Sequence, residues 1–211
     1  MKIEVWSDYA CPFCYIGEKR LNKALEELGA RDVTTIEFKS FELDPYAGRE
    51  VESSTVDRFA EKYGLSVEDA ARRVESISEM GRGEGIDFRY AETRYTNTFD
   101  AHRLTKFAQS KGKTAIIEKL FDAYFTKGLE LSDPNVLKKI AVESGLDPVE
   151  VDDVISNDKF ADDVRNDERR AYSLEVNSVP FFLIDGKYAM SGAQPTNAIR
   201  DALREILNRE A

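Results

Sequence analysis

The two cysteines of this 211-residue chain stand three positions apart, in Cys11-Pro12-Phe13-Cys14. Thiols at that spacing can close a disulfide within one helical turn and open it again, which points to two-electron chemistry on sulfur. Pro12 orients the pair. Proline is favoured at the first position of a helix, where its missing N–H would be unpaired anyway, so Cys11 falls at the N-cap and Cys14 at the third helical position. An N-cap side chain accepts an N–H from the second or third helical residue, here Phe13 or Cys14, and the positive end of the helix dipole lies at the same place. Both effects favour a thiolate, predicting a lowered pKa and the nucleophile's role for Cys11. Cys14 is then the resolving thiol, which attacks the mixed disulfide that Cys11 forms with a substrate. Phe13 brings neither charge nor hydrogen-bond donor to that thiolate. The pair is therefore expected to be less strongly oxidising than one with histidine at this position.

Other uses of the two thiols fit less well. A metal site takes about four Cys, His or carboxylate ligands, whereas the single histidine, His102, is remote in sequence; no metal is expected. A static disulfide across three residues closes too small a loop to stabilise much. With 40 acidic and 30 basic residues the net charge is −10, which disfavours nucleic acid and anionic membrane surfaces as partners. No run of residues approaches the length of a membrane span. The opening MKIEVWSDYACP lacks a basic segment followed by an apolar one, giving the expectation of a cytoplasmic protein. In a reducing cytosol a disulfide is usually transient and catalytic or redox-sensing.

The elements that must position the pair follow from periodicity and punctuation. Residues 2–7 read as a strand, 12–28 as a helix ending at Gly29, and 33–41, rich in β-branched and aromatic residues, as a second strand. Strand, helix and strand in that order suggest a parallel pair. From about Ser53 to about Glu175 the pattern is helical, with segments at 54–63, 66–82, 97–111, 113–127, 134–144, 148–156 and 158–176. Gly64, Gly112, Gly128 and Gly145 serve as stops, Asp133-Pro134 and Asp147-Pro148 as starts, and GRGEG at 81–85 as a flexible turn. Residues 181–184 and 187–190 flank Asp185-Gly186, a hairpin signal, and 196–207 form a last helix with Ile199, Leu203 and Ile206 on one face. The start and end should share one sheet. The fold class is α/β, a thioredoxin-like fold interrupted by a large all-helical insertion, with residues 1–45 and 160–211 forming the discontinuous domain and 46–159 the insertion.

Four stretches, SDYACPFCYIG (7–17), YTNTFDAHRL (95–104), NSVPFFLIDGKY (177–188) and SGAQP (191–195), resemble the DsbA-like thioredoxin-fold oxidoreductases, and among them the FrnE-like cytosolic branch. The resemblance runs essentially end to end. Related 2-hydroxychromene-2-carboxylate isomerases and kappa-class glutathione transferases usually carry serine where this chain has Cys11. The resemblance implies that Pro180 follows a cis peptide bond facing the Cys11–Cys14 pair. Val179 and Pro180 would then bind an extended substrate strand, with Pro12 and Phe13 completing the substrate-facing surface. Asn97 and His102 fall in a family motif of the helical block, where Asn97 or Thr98 could equally be a helix N-cap and His102 a structural residue. Asp8 is a candidate for assisting proton transfer from Cys14, or else a solvated loop acid; Lys19 and Arg20 are read as decorating the first helix. FrnE-like members commonly have Cys-Pro-Trp-Cys, and some relatives carry a second cysteine pair that this chain lacks.

The expected function is thiol–disulfide exchange on protein or small-molecule substrates, through a redox-active Cys11–Cys14 disulfide and without a bound cofactor. Glutathione or another low-molecular-weight thiol is the expected co-substrate. Two alternatives differ in class. One is a glutathione-dependent isomerase or transferase whose pocket is lined by Phe59, Tyr63, Phe88, Tyr90, Tyr95 and Phe99; the other is a chaperone-like polypeptide binder.

Overall fold

A computed structural model describes residues 1–210 as two compact units, Met1–Phe41 with the chain from Asp167 on, and Glu42–Asn166. The boundaries fall at 41/42 and 166/167, against 45/46 and 159/160 read from the sequence. The first unit holds β1 (Lys2–Ser7), α1 (Pro12–Glu27), β2 (Thr35–Ser40), β3 (Phe181–Ile184), β4 (Tyr188–Ser191) and α9 (Thr196–Glu210). Its sheet runs β2-β1-β3-β4, with β1 and β2 parallel and the other pairs antiparallel. This is the thioredoxin-like arrangement expected. The second unit holds α2 (Thr55–Tyr63), α3 (Val67–Gly83), α4 (Phe99–Ser110), α5 (Ile116–Phe125), α6 (Pro134–Glu143) and α7 (Pro148–Ser156). Helix α8 (Ala161–Ser173) contains the boundary between the two.

Strand alternation gives the sheet two different faces. On one, Ile3, Val5, Phe182 and Ile184 form a core with Leu21, Ala24 and Leu25 of α1 and Ile199, Leu203 and Ile206 of α9. Each such side chain, fully buried, contributes about 1.5–3 kcal/mol. The other face is charged. Glu4 and Trp6 of β1 lie there with Lys39 of β2 and with Asp167 and Arg170 of α8. Lys39 Nζ sits 3.5 Å from Asp167 and 3.6 Å from Glu4, and it also pairs with Glu37. Arg170 meets Glu4 at 2.8 Å. Asp167 accepts the Ser40 N–H on its carboxylate at 2.9 Å and the Trp6 indole N–H on its carbonyl at 3.0 Å. These bonds hold the C-terminal half of α8 to the sheet, and they are why the unit boundary falls inside that helix.

In the second unit the helices start on side-chain caps. Ser54 and Ser66 accept the N–H of Asp57 and Asp69, and Asp133 and Asp147 cap helices whose first residue is proline. The core is aromatic, with Phe88 stacked on Phe125 at 4.7 Å and Tyr90, Phe121 and Tyr124 buried around them. Arg103 is buried in α4, and its guanidinium binds the carbonyl of Val154 near the end of α7 and that of Lys159 beyond it. GRGEG is not a flexible turn. Helix α3 continues through Gly81 to Gly83, because Phe88 packs on the helix backbone at Gly81, where a Cβ would lie 2.4 Å from the ring. The helix stops one step later, where Gly85 takes φ +80° and Ile86 donates to the Gly81 carbonyl. The Asp185-Gly186 hairpin forms, with both residues left-handed and Lys187 N–H on Ile184 O; β4 begins one residue later than expected.

The charged face makes two predictions. Replacing Glu4 by alanine leaves Lys39 and Arg170 without their shared carboxylate. It should cost about 2–3 kcal/mol, below the ~3–5 kcal/mol of a fully buried pair because Arg170 keeps access to water; urea unfolding midpoints measure it. Burial opposes the ionisation of Glu37, but hydrogen bonds and charge from Lys2 and Lys39 prevail and hold its carboxyl at about 2 against an ordinary 4.5. A depressed carboxylate adds stability above its unfolded pKa and loses it as pH falls through the folded one. Glu37→Gln should therefore lower the thermal midpoint at pH 7, and its difference from wild type should shrink between about pH 5 and pH 2.

Candidate active site

Strand β1 ends at Ser7, and three buried residues, Asp8, Tyr9 and Ala10, lead to Cys11. Tyr9 fixes this short loop by stacking on Phe38 of β2 with centroids 5.3 Å apart. Cys11 is the N-cap of α1 with extended backbone (φ −89°, ψ 113°), and Pro12 follows it at the start of the helix. The sequence expectation holds for the position and fails for the sulfur. No side-chain capping bond is made at Cys11; the Cys14 N–H goes to the Cys11 carbonyl at 3.1 Å. The Cys11 thiol instead donates to the carbonyl of Val179 at 3.6 Å. The side chain is directed towards the segment before β3.

Both thiols are free and buried, Cys11 4 % and Cys14 2 % exposed. Burial pushes the Cys14 thiol well above its ordinary range, and its hydrogen bond to Cys11 and the charge of that neighbour push it further. The Ser7 hydroxyl and the Asp8 backbone N–H, both hydrogen-bonded to the Cys14 sulfur, act in the opposite direction and are outweighed. Cys14 is thus kept in its protonated thiol form.

Asp8 is not a solvated loop acid. It is 2 % exposed, its carboxylate accepts the Ala10 N–H at 3.3 Å, and its carbonyl accepts the Cys11 N–H at 3.1 Å. Pro12 is buried, and Phe13 is the exposed member of the motif at 38 %. The Val179–Pro180 bond is cis, as the resemblance implied, and both residues are buried. Behind them the Pro180 carbonyl accepts the Gly192 N–H at 2.8 Å. Arg20 does more than decorate α1, since its guanidinium donates to the Ala193 carbonyl at 2.7 Å; Lys19 lies over the Tyr15 ring.

Asn97 and His102 belong to the second unit. Asn97 accepts the Phe99 N–H at 2.9 Å and so serves the start of α4, while Thr98, the N-cap residue, makes no side-chain cap. His102 is fully buried within that helix, one turn on, where its N–H meets the Thr98 carbonyl. Of the aromatics considered as pocket lining, Phe88 and Tyr90 are core; Tyr95 lies under Arg58 and Phe99 under Arg165. No cluster of three or more metal-ligating side chains occurs among the described residues.

Sequence reasoning missed Ser7, Gly17 and the role of Arg20. Ser7 was readable: alternation with Ile3 and Val5 places it on the face that α1 covers, one strand position before the loop. Arg20 gave no such signal, because its partner is a backbone carbonyl 173 positions away.

The sequence profile of the DSBA-like thioredoxin domain matches residues 2–204. Among solved structures, a probable DsbA oxidoreductase from Streptomyces coelicolor superposes with a TM-score of 0.93 at 34% identity, over 99% of this chain and 90% of that one. The cytosolic disulfide reductase DsbM from Pseudomonas aeruginosa, solved with GSH, has the same fold at 14% identity (TM-score 0.67, 99% of this chain and 100% of that one). An uncharacterised Bacillus subtilis protein, YwbO, is 26% identical over 96% of both chains. A free, buried dithiol at a strand-to-helix junction, opposite a cis-proline, accords with that profile: the chain belongs to the DsbA-like thioredoxin family.

Proposed function

We propose that the protein is a thiol–disulfide oxidoreductase in which Cys11 exchanges with substrate and Cys14 resolves. The observation that carries this reading is the asymmetry of the pair, with the Cys14 sulfur kept protonated by its burial and the Cys11 sulfur directed at Val179 O. In the reducing direction the Cys11 thiolate attacks a substrate disulfide, forming a mixed disulfide and expelling one substrate thiolate. Cys14 then gives up its proton and attacks the Cys11 sulfur, releasing the second substrate thiolate and leaving the Cys11–Cys14 disulfide. Two electrons pass to the substrate. In the oxidising direction the same steps run backwards, and the poise of the compartment decides, since ~30 mV shifts the balance by ~1.4 kcal/mol.

Once Cys11 is bonded to substrate, its charge is gone and Cys14 becomes easier to ionise. Ser7 and the Asp8 N–H then stabilise the thiolate that forms. The buried Asp8 carboxylate is the group we assign to receive its proton. Val179 and Pro180 present backbone to an extended substrate beside Cys11, and Phe13 offers an exposed apolar contact. The GSH-bound Pseudomonas relative supports glutathione as a low-molecular-weight co-substrate, and its cytosolic setting supports a cytoplasmic site of action. No helix among the described residues is long and apolar enough to cross a membrane.

Equilibration in glutathione redox buffers, read by alkylation of Cys11 and Cys14, tests the reading. Wild type should show one reversible two-electron transition, Cys11→Ser none, and Cys14→Ser an accumulated mixed disulfide at Cys11. A pair that stays in one state across the accessible range overturns the oxidoreductase reading. For Ser7→Ala, the pH at which the mixed disulfide resolves should rise, because one hydrogen bond to the charged sulfur is lost. Stopped-flow resolution rates from pH 6 to 10 measure that shift.

A further inference from the structure

Helix α1 touches the segment around Pro180 at more than the reactive cysteine. Gly17 lies six residues past Cys11, on the face turned to β3. A Cβ there would stand 2.9 Å from Pro180 Cγ and 3.5 Å from the ring of Phe182, so the helix backbone itself rests on the proline. Glycine inside a helix is unfavourable relative to alanine, and here the close approach explains it. Three residues on, along the same stripe of the helix, Arg20 donates to the Ala193 carbonyl at 2.7 Å. Ala193 adjoins Gly192, whose N–H holds the Pro180 carbonyl at 2.8 Å. The loop is braced further by the Gln194 side-chain amide on Ser191 O at 2.8 Å and by the paired hydroxyls of Ser178 and Ser191 at 3.2 Å.

These contacts close a ring. From Cys11 the path runs through Val179 and Pro180 to Gly192 and Ala193, back to Arg20, and along the rigid helix to Cys11. We infer that Arg20 and Gly17 are positioning residues, which fix the backbone of Val179 and Pro180 relative to Cys11 and thereby set recognition of extended polypeptide substrates. Neither touches the thiols. The inference rests on the oxidoreductase reading and adds a substrate class to it. A charged guanidinium on a carbonyl makes a stronger tether than a neutral donor, and a lysine at the same position can keep the charge with a shorter reach.

Steady-state reduction of insulin disulfides, with dithiothreitol as the electron donor, tests this in wild type, Arg20→Gln, Arg20→Lys and Gly17→Ala, alongside Cys11 alkylation by iodoacetamide and equilibration with glutathione. Arg20→Gln should raise KM for insulin about tenfold with kcat within about twofold, and leave alkylation and the glutathione equilibrium unchanged. Arg20→Lys should restore most of the loss. Gly17→Ala should act in the same direction as Arg20→Gln, with thermal midpoints confirming that it folds. An unaltered KM in Arg20→Gln overturns the inference, as does a parallel fall in insulin turnover and alkylation rate, which marks a merely structural role. Wild type that equilibrates with glutathione and ignores insulin also overturns it while sparing the oxidoreductase reading. Failure of wild type in both reactions removes that reading and this inference together.

Discussion

Two sulfur atoms in one buried place cannot both carry charge. A thiolate beside a second thiol pulls that thiol's proton towards itself, and burial removes the water that would otherwise let both ionise. In this protein the consequence falls on Cys14, which burial and its neighbour keep protonated. In the proposed exchange this difference sets the order of events. There the outer sulfur bonds to substrate first, and with that neighbour bonded the inner one becomes easier to ionise against its burial.

Local rules that operate over a few residues were legible in the sequence. Pro12 at a helix start, the β-branched run of β2, the proline and aspartate starts of α6 and α7, and the Asp185-Gly186 turn each depend on neighbours in the chain. The bulk of the architecture could therefore be read from periodicity. The cis state of Val179–Pro180 could not; it came from the likeness of NSVPFF to a known family. Contacts between distant segments escaped. Position alone points the Cys11 sulfur at helix N–H groups, whereas its partner is the Val179 carbonyl, 168 residues away. Gly81 looked like a hinge because glycine usually marks flexibility, and only the ring of Phe88 against the helix shows why it stays helical. A solvated loop acid stood beside a proton-transfer role for Asp8 because nothing nearby in sequence announces that its loop is buried.

The sheet divides its labour between two surfaces. The apolar one, facing α1 and α9, supplies most of the burial that makes the first unit compact. The charged one, facing α8, uses directional bonds: Asp167 takes donors on both its carboxylate and its carbonyl, and Glu4 is shared by Lys39 and Arg170. Ion pairs of this kind add little net stability against an apolar equivalent, and their best-attested use is to specify one arrangement over others. Here they fix which turn of α8 lies over β1. The segment that leaves α8 carries Val179 and Pro180, so this register sets where the backbone facing Cys11 begins.

The single tryptophan sits in that charged seam. Trp6 is fully buried, edge-on to Phe181 at 5.9 Å, with its N–H on Asp167 and the Arg170 guanidinium over its ring. Intrinsic indole fluorescence therefore reports on the first unit alone, while many of the tyrosines, among them Tyr90 and Tyr124, lie in the helical unit. The molecule carries a built-in pair of optical reporters. Comparing emission from Trp6 with far-ultraviolet dichroism, which the helices of the second unit weigh heavily, distinguishes one cooperative melting event from two.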